Sequence, residues 1–166
     1  MINTSIRRAL VLSSLVLGAT TLFSSKAMAD TVTLGGTVAS TLALVTTPTV
    51  AASTLNLSTG TQQIVQVADL AISTNNEQGY TVTATSGSLT KANGTPIAYQ
   101  VTTTADTVAA IAGNFTIASG TNYTVGSTAA NAAGSNGRDL HIMYTPAALQ
   151  DPGDYAGTIT VTVADN

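Results

Sequence analysis

Apolar residues recur at every second position along most of this chain, a spacing that suits half-buried strands and gives no face to a helix. The clearest runs are Ile64-Val-Gln-Val-Ala-Asp-Leu-Ala-Ile72, Tyr80-Thr-Val-Thr-Ala-Thr85, Ile97-Ala-Tyr-Gln-Val-Thr-Thr103 and Tyr155-Ala-Gly-Thr-Ile-Thr-Val-Thr-Val163. Shorter runs lie at 53–57, 115–117, 123–125 and 140–144. Thr or another small residue fills most of the alternate positions. In the last of the long runs, Tyr155, Gly157, Ile159, Val161 and Val163 share one face.

Turn residues separate the runs. Asn75-Asn-Glu-Gln-Gly79, Lys91-Ala-Asn-Gly-Thr-Pro96 and Asp151-Pro-Gly-Asp154 supply the positive and fixed φ values that tight turns need. Residues 126–137 read as a long loop or a loosely paired hairpin, and residues 104–112 as the one stretch with a short helical turn. The expectation is an all-β chain of about eight strands in an antiparallel sandwich.

The longest run, DTVTLGGTVASTLALV, begins at Asp30. Val32, Leu34, Gly36, Val38, Ser40, Leu42 and Leu44 fall on one face of it. At 16 residues it exceeds the usual strand of roughly 3–10, so it is expected to do two jobs. Residues 30–41 read as an extension and residues 42–166 as the sandwich, with the changeover near residues 39–42.

What precedes Asp30 reads as an export signal. Arg7 and Arg8 form a basic start, residues 9–17 an apolar stretch, and Ala27-Met28-Ala29 a small-x-small cleavage site. Removing residues 1–29 leaves Lys91 and Arg138 against eight Asp and Glu residues, a net charge of 2 minus 8, or -6. With no basic surface, neither nucleic acid nor an anionic membrane is an expected partner. The apolar stretch is too short and too interrupted by Ser for a membrane span in the mature form. Charged residues are 8% of the chain and there is no Cys. A β-rich chain with so little charge suits an extracellular structural part, stabilised without disulfides.

Little in the sequence carries chemistry. His141, the single histidine, alternates with Leu140 and Ile142, so it is expected to face solvent if they face the core. It has no second His or Cys for a metal site, and a nucleophile triad needs its histidine in a cleft. Asp69, Glu77, Asp106, Asp139, Asp151 and Asp154 are scattered, and without Trp there is no platform for a sugar between paired carboxylates. Asp151-Pro-Gly-Asp154 reads as a β-turn before it reads as a calcium loop. Asn114-Phe-Thr116 and Asn122-Tyr-Thr124 match the glycosylation sequon, a motif common by chance. No catalytic residue, metal or cofactor is expected, and the chain is not expected to be an enzyme.

The layout resembles that of a known family. An export signal leads into an alternating segment with Gly-Gly-Thr-Val at 35–38, and the chain closes on Pro-Gly-Asp-Tyr-Ala-Gly-Thr-Ile-Thr-Val-Thr-Val at 152–163. Together these look like the pilin subunits of bacterial chaperone–usher fimbriae, including the archaic, spore-coat-U-like branch. The chain departs from many members in lacking Cys, and in ending Ala164-Asp165-Asn166 where a Tyr is frequent near the terminus.

The resemblance implies an immunoglobulin-like sandwich lacking its last strand. A periplasmic chaperone, and then the N-terminal extension of another copy or a related pilin, would complete it by β-augmentation. Val32, Leu34, Val38 and Leu42 would be the inserting residues, with Gly36 where the groove admits no side chain. Tyr155, Ile159, Val161 and Val163 would belong to the groove and its C-terminal strand. An outer-membrane usher would pass the subunits through the periplasm to the cell surface, where the fimbria would support adhesion or biofilm formation. Contacts with a host surface would come from loops such as 86–96 or 126–138. The alternative is a stand-alone secreted sandwich, a binding module or biofilm-matrix protein in which the opening run is simply the first strand.

Overall fold

The computed structural model describes residues 30–127 and 130–166. The export signal assigned to residues 1–29 lies outside them. Among the described residues, 30–37 belong to one unit and 38–166 to a second. In the first, residues 30–37 are exposed and carry no regular secondary structure.

The second unit holds eight described strands, all antiparallel: β1 (Leu42–Pro48), β2 (Gln63–Thr74), β3 (Tyr80–Thr85), β4 (Gly87–Leu89), β5 (Ile97–Ala105), β6 (Asn122–Ser127), β7 (Asn131–Tyr144) and β8 (Val161–Asp165). One sheet has the order β1-β2-β7-β5-β4 and the other β6-β3-β8. Among the described residues no helix is long and apolar enough to cross a membrane.

Alternation builds the core. Leu70 and Ile72 of β2, Ile97, Tyr99 and Val101 of β5, and Leu140, Ile142 and Tyr144 of β7 point inward from the larger sheet. Tyr80, Val82 and Ala84 of β3 belong to the same cluster. At roughly 1.5–3 kcal/mol for each fully buried large aliphatic side chain, this cluster supplies the main drive to fold. Two buried tyrosines also tie irregular segments over it: Tyr99 donates to the Thr158 carbonyl at 3.0 Å and Tyr144 to the Asn56 carbonyl at 3.2 Å. Burial raises the pKa of both phenols, which keeps them neutral donors.

The strand order is that of an immunoglobulin-like sandwich. In that fold strands A, B, E and D form one sheet and C, F and G the other. Here β1-β2-β7-β5 runs A-B-E-D, and β3-β8 runs C-F. The position beside β8, where G would pair, carries no strand among the described residues.

Several expectations change. Residues 53–57 form part of a 3₁₀ turn (Val50–Ser53) and coil, although Leu55 and Leu57 still pack on the core. Residues 115–117 form no strand, yet Phe115 is buried. The stretch 126–137 is largely strand: β6 extends to Ser127 and β7 starts at Asn131, and they pair in different sheets instead of forming a hairpin. Residues 104 and 105 belong to β5, and the 3₁₀ turn falls later, at Ala112–Asn114. The last run is a strand only from Val161, with one bridge upstream joining Thr90 to Ala156.

His141 faces away from Leu140 and Ile142, but it is not in solvent: it is 4% exposed. A hollow formed with residues Thr107–Ala110 covers it, so the outer face of β7 is roofed by the loop after β5. Thr104 gives its hydroxyl proton to the Val108 carbonyl, so Nε2 of His141 is the donor to Thr104 Oγ1 at 3.0 Å. Burial holds the imidazole below its usual pKa, against the pull of Asp139. Asp139 is buried beside it and pushed up, first by desolvation and then by Asp106 and Asp69. The scattered carboxylates are thus partly gathered in the fold. Among the described residues no group of three or more His, Cys, Asp or Glu could hold a metal.

Candidate functional site: the open seam of the sandwich

A five-stranded sheet facing a three-stranded one leaves part of its inner face uncovered. The gap lies between β1, the edge of the larger sheet, and β8, the edge of the smaller. Neither strand pairs with the other. Each therefore presents a row of backbone N–H and C=O groups with no ladder partner among the described residues, the condition that invites another strand.

The side chains along this seam are apolar and incompletely covered. Leu42 and Leu44 of β1, Ile159, and Val161 and Val163 of β8 are all half-buried against the core. Ile159 lies just before β8 and keeps its alternation, since Thr160 already accepts a backbone hydrogen bond from Thr85 at 3.0 Å. Further along, the seam widens into a cavity of about 290 Å³. Pro48, Leu55, Val67, Tyr99, Leu140 and Ile159 are among its lining residues. Three of these, Val67, Tyr99 and Leu140, belong to the buried core. The hydrophobic interior is therefore reachable along this edge.

The two ends of the seam differ. At one end Asp165 accepts hydrogen bonds from Thr74 Oγ1 at 2.6 Å and Ser40 Oγ at 2.7 Å, joining β8 to the larger sheet. Asn166 is fixed alongside: its side chain donates to the Gln78 and Ser127 carbonyls at 2.9 Å each. At the other end Gly157 lines the cavity, and a Cβ there would meet Leu89 Cδ2 at 3.0 Å and the Ser88 carbonyl at 3.2 Å. Tyr155 lies beyond, half-buried, and accepts a hydrogen bond from the Gln150 amide at 2.6 Å. Of the residues expected in the groove, Ile159, Val161 and Val163 line up along the seam, and Tyr155 stands past its wide end.

Residues 30–41 carry apolar side chains in alternation on a segment before the first strand. Val32, Leu34 and Val38 are 83%, 89% and 90% exposed. Gly36 has open space where a Cβ would stand and no positive φ, so neither packing nor backbone conformation within the chain calls for glycine there. Leu42, grouped with these residues in the sequence, is instead the first residue of β1, opposite Thr74.

The cavity floor was not legible in the sequence. Pro48, Leu55, Tyr99 and Leu140 come from four separate segments, and only the tertiary fold brings them together. Alternation marked Leu55, Tyr99 and Leu140 as inward-facing, but not as reachable from outside.

Elsewhere, a broader concavity of about 570 Å³ beside Gln100, Met143 and Gln150 holds no carboxylate, histidine or lysine. The Asp151–Asp154 turn is braced by a cation of the chain itself, since Lys91 Nζ donates to the Pro152 carbonyl at 2.6 Å. Compared with known proteins, the chain matches no family model, no curated protein and no solved structure.

Proposed function

We propose that this chain is the structural subunit of a bacterial surface fibre, assembled by donor-strand exchange. Residues 30–38 of one copy enter the seam beside β8 of the next, taking the place of the missing seventh strand, while residues 39–41 stay with their own sandwich, held by Asn75 and Asp165. One observation carries this reading: a sandwich with an unpaired, apolar edge at the G position exists in a chain that also presents an exposed, alternating apolar segment.

The energetics support it. Burying Val32, Leu34 and Val38 at roughly 1.5–3 kcal/mol each contributes about 5–9 kcal/mol before association costs. Backbone pairing along β8 adds affinity that does not depend on side chains, while the alternate side chains set the register. Gly36 then has a reason to be glycine, as the point where the strand passes closest to the acceptor. A periplasmic chaperone and an outer-membrane usher are the partners that the resemblance supplies, because an open seam needs temporary cover before assembly. Export to the cell surface and a role in adhesion or biofilm belong to the same proposal.

The test is assembly itself. The full-length chain, expressed with residues 1–29 in place, should form polymers visible by light scattering and electron microscopy. Leu34→Asp or Val38→Asp should leave a folded monomer, because both side chains are exposed within one copy and a charge is penalised only on entering an apolar groove. A wild-type chain that stays monomeric and ignores the synthetic peptide DTVTLGGTVASTL would sink the proposal. So would an Asp variant that polymerises normally.

A further inference from the structure

Resting on that donor-strand reading, we infer that the hollow around Leu149, in which apolar side chains sit beside Gln150 and Asp151, is the seat for the body of the next subunit in the fibre. The hollow has a volume of about 370 Å³, and Leu57, Ala148, Leu149 and Tyr155 are among its lining residues. Leu149 is 95% exposed, the highest value among the exposed large hydrophobics of the sandwich. Nothing in the fold of one copy accounts for a leucine at that position.

Direction decides which surface the donor subunit meets. In an antiparallel sheet of this kind the added strand runs opposite to β8. Its N-terminal part then lies beside Asp165 and its C-terminal part beside residues 157–159. The hollow continues the seam at that end, since Leu57 follows the cavity residue Leu55 by two positions and Tyr155 precedes Gly157 by two. A strand leaving the seam at that end is directed toward the side of the sandwich where Leu57, Tyr155 and Leu149 line the hollow.

The donor has no slack at this point. Its body begins at Ala39, whose carbonyl accepts a hydrogen bond from Asn75 Nδ2 at 2.8 Å, and the same side chain receives the Thr41 amide at 2.8 Å. Asn75 thus pins residues 39–41 to the turn after β2. Even if that pin released, Val38 to Leu42 spans four residues, about 13–14 Å when fully extended. A donor that places Val38 in the seam therefore brings its own body against the acceptor's Leu149. The junction is a body-to-body contact as well as a strand insertion, and its partner is a second copy of this chain.

The experiment compares Leu149→Asp with the wild-type full-length chain by two readouts. The first is binding of a fluorescent peptide of residues 30–38, DTVTLGGTV, to freshly refolded monomer, which reports the seam alone. The second is the rate at which assembled polymer dissociates in denaturant, which reports the seam and the junction together. Expected are equal peptide binding and a dissociation about tenfold faster for Leu149→Asp, the scale of one lost leucine contact. If both chains bind peptide and their polymers dissociate at the same rate, the junction inference is overturned while donor-strand exchange stands. If Leu149→Asp loses the peptide as well, Leu149 belongs to the seam and the inference also falls. If the wild type does not bind the peptide, donor-strand exchange itself is wrong.

Discussion

Thr74 and Asp165 stand 91 positions apart in the chain and are joined by a hydrogen bond of 2.6 Å from the threonine hydroxyl to the carboxylate. The bond links the end of β2, in the larger sheet, to the end of β8, in the smaller. Together with Ser40 it fixes one end of the seam. The two hydroxyls, Thr74 first, lower the Asp165 pKa from its ordinary value of 3.8. A depressed carboxylate pKa contributes stability that is present above the unfolded value and lost as pH falls through the folded one. Asp165→Asn should therefore melt at a lower temperature than the wild type at pH 6. The gap should close as both are titrated below pH 3.8. A gap that stays constant down to pH 2 would show that the charge is irrelevant to the tie.

His141 gives a second pH signature, at a higher window. Burial lowers its pKa from 6.5, so the unfolded chain binds a proton that the folded chain resists. Stability is then fully present above pH 6.5 and is lost as pH falls below it. Asp139 opposes the shift, and its own carboxyl is pushed up by burial. The wild type should lose melting temperature between pH 7 and 5, and His141→Gln should show a flatter profile in that range. The comparison is a set of thermal melts at half-unit pH steps, and parallel profiles would exclude His141 as the source.

These two residues mark where sequence reading stops. Strands β2, β3 and β5 were legible because Leu70, Ile72, Tyr80, Val82, Ile97 and Val101 alternate without interruption. The upstream half of β7 was not, because its Asn-, Ala- and Gly-rich sequence offers no alternation, and its strand state comes from pairing with β2. Leu55 and Leu57 alternate, yet their segment has no strand partner and settles on the core as a turn and coil. The orientation of His141 followed from period two. Its burial depended on a loop folding back over the outer face, a long-range event without a local signal. The seam is a similar case: the alternation of residues 30–41 is visible in the sequence, but the cavity beside β8 is assembled from segments scattered between Thr46 and Ile159.

Gly157 should be sensitive to substitution in both stability and assembly. An added Cβ would meet Leu89 and the Ser88 carbonyl at 3.0 and 3.2 Å, and the backbone carbonyl cannot turn aside as a side chain would. Gly157→Val should push residues 156–158 outward and strain the paired hydrogen bonds between Thr90 and Ala156, at 2.8 and 2.9 Å. Overpacking of this kind costs about 1–3 kcal/mol, readable as a shift in the urea midpoint. The same change should weaken capture of the DTVTLGGTV peptide, because Gly157 lines the cavity. Unchanged peptide affinity would place the donor strand elsewhere.

Leu70 and Leu34 carry the same side chain in opposite surroundings, and truncating each separates folding from assembly. Leu70 is 1% exposed in the core between the sheets, and Leu70→Ala leaves a cavity there at a cost of roughly 2–5 kcal/mol. Leu34 is exposed in the segment before the sandwich, so Leu34→Ala should change the stability of the monomer by less than about 0.5 kcal/mol. Under the proposed donor-strand exchange the effect of Leu34→Ala moves to the polymer, since the side chain would be buried in a neighbour. Its loss should lower polymer resistance to denaturant while leaving the urea midpoint of the monomer unmoved. Equal effects of Leu34→Ala on monomer and polymer would mean that the leucine packs within its own chain, and the open edge of β8 would then need a different occupant.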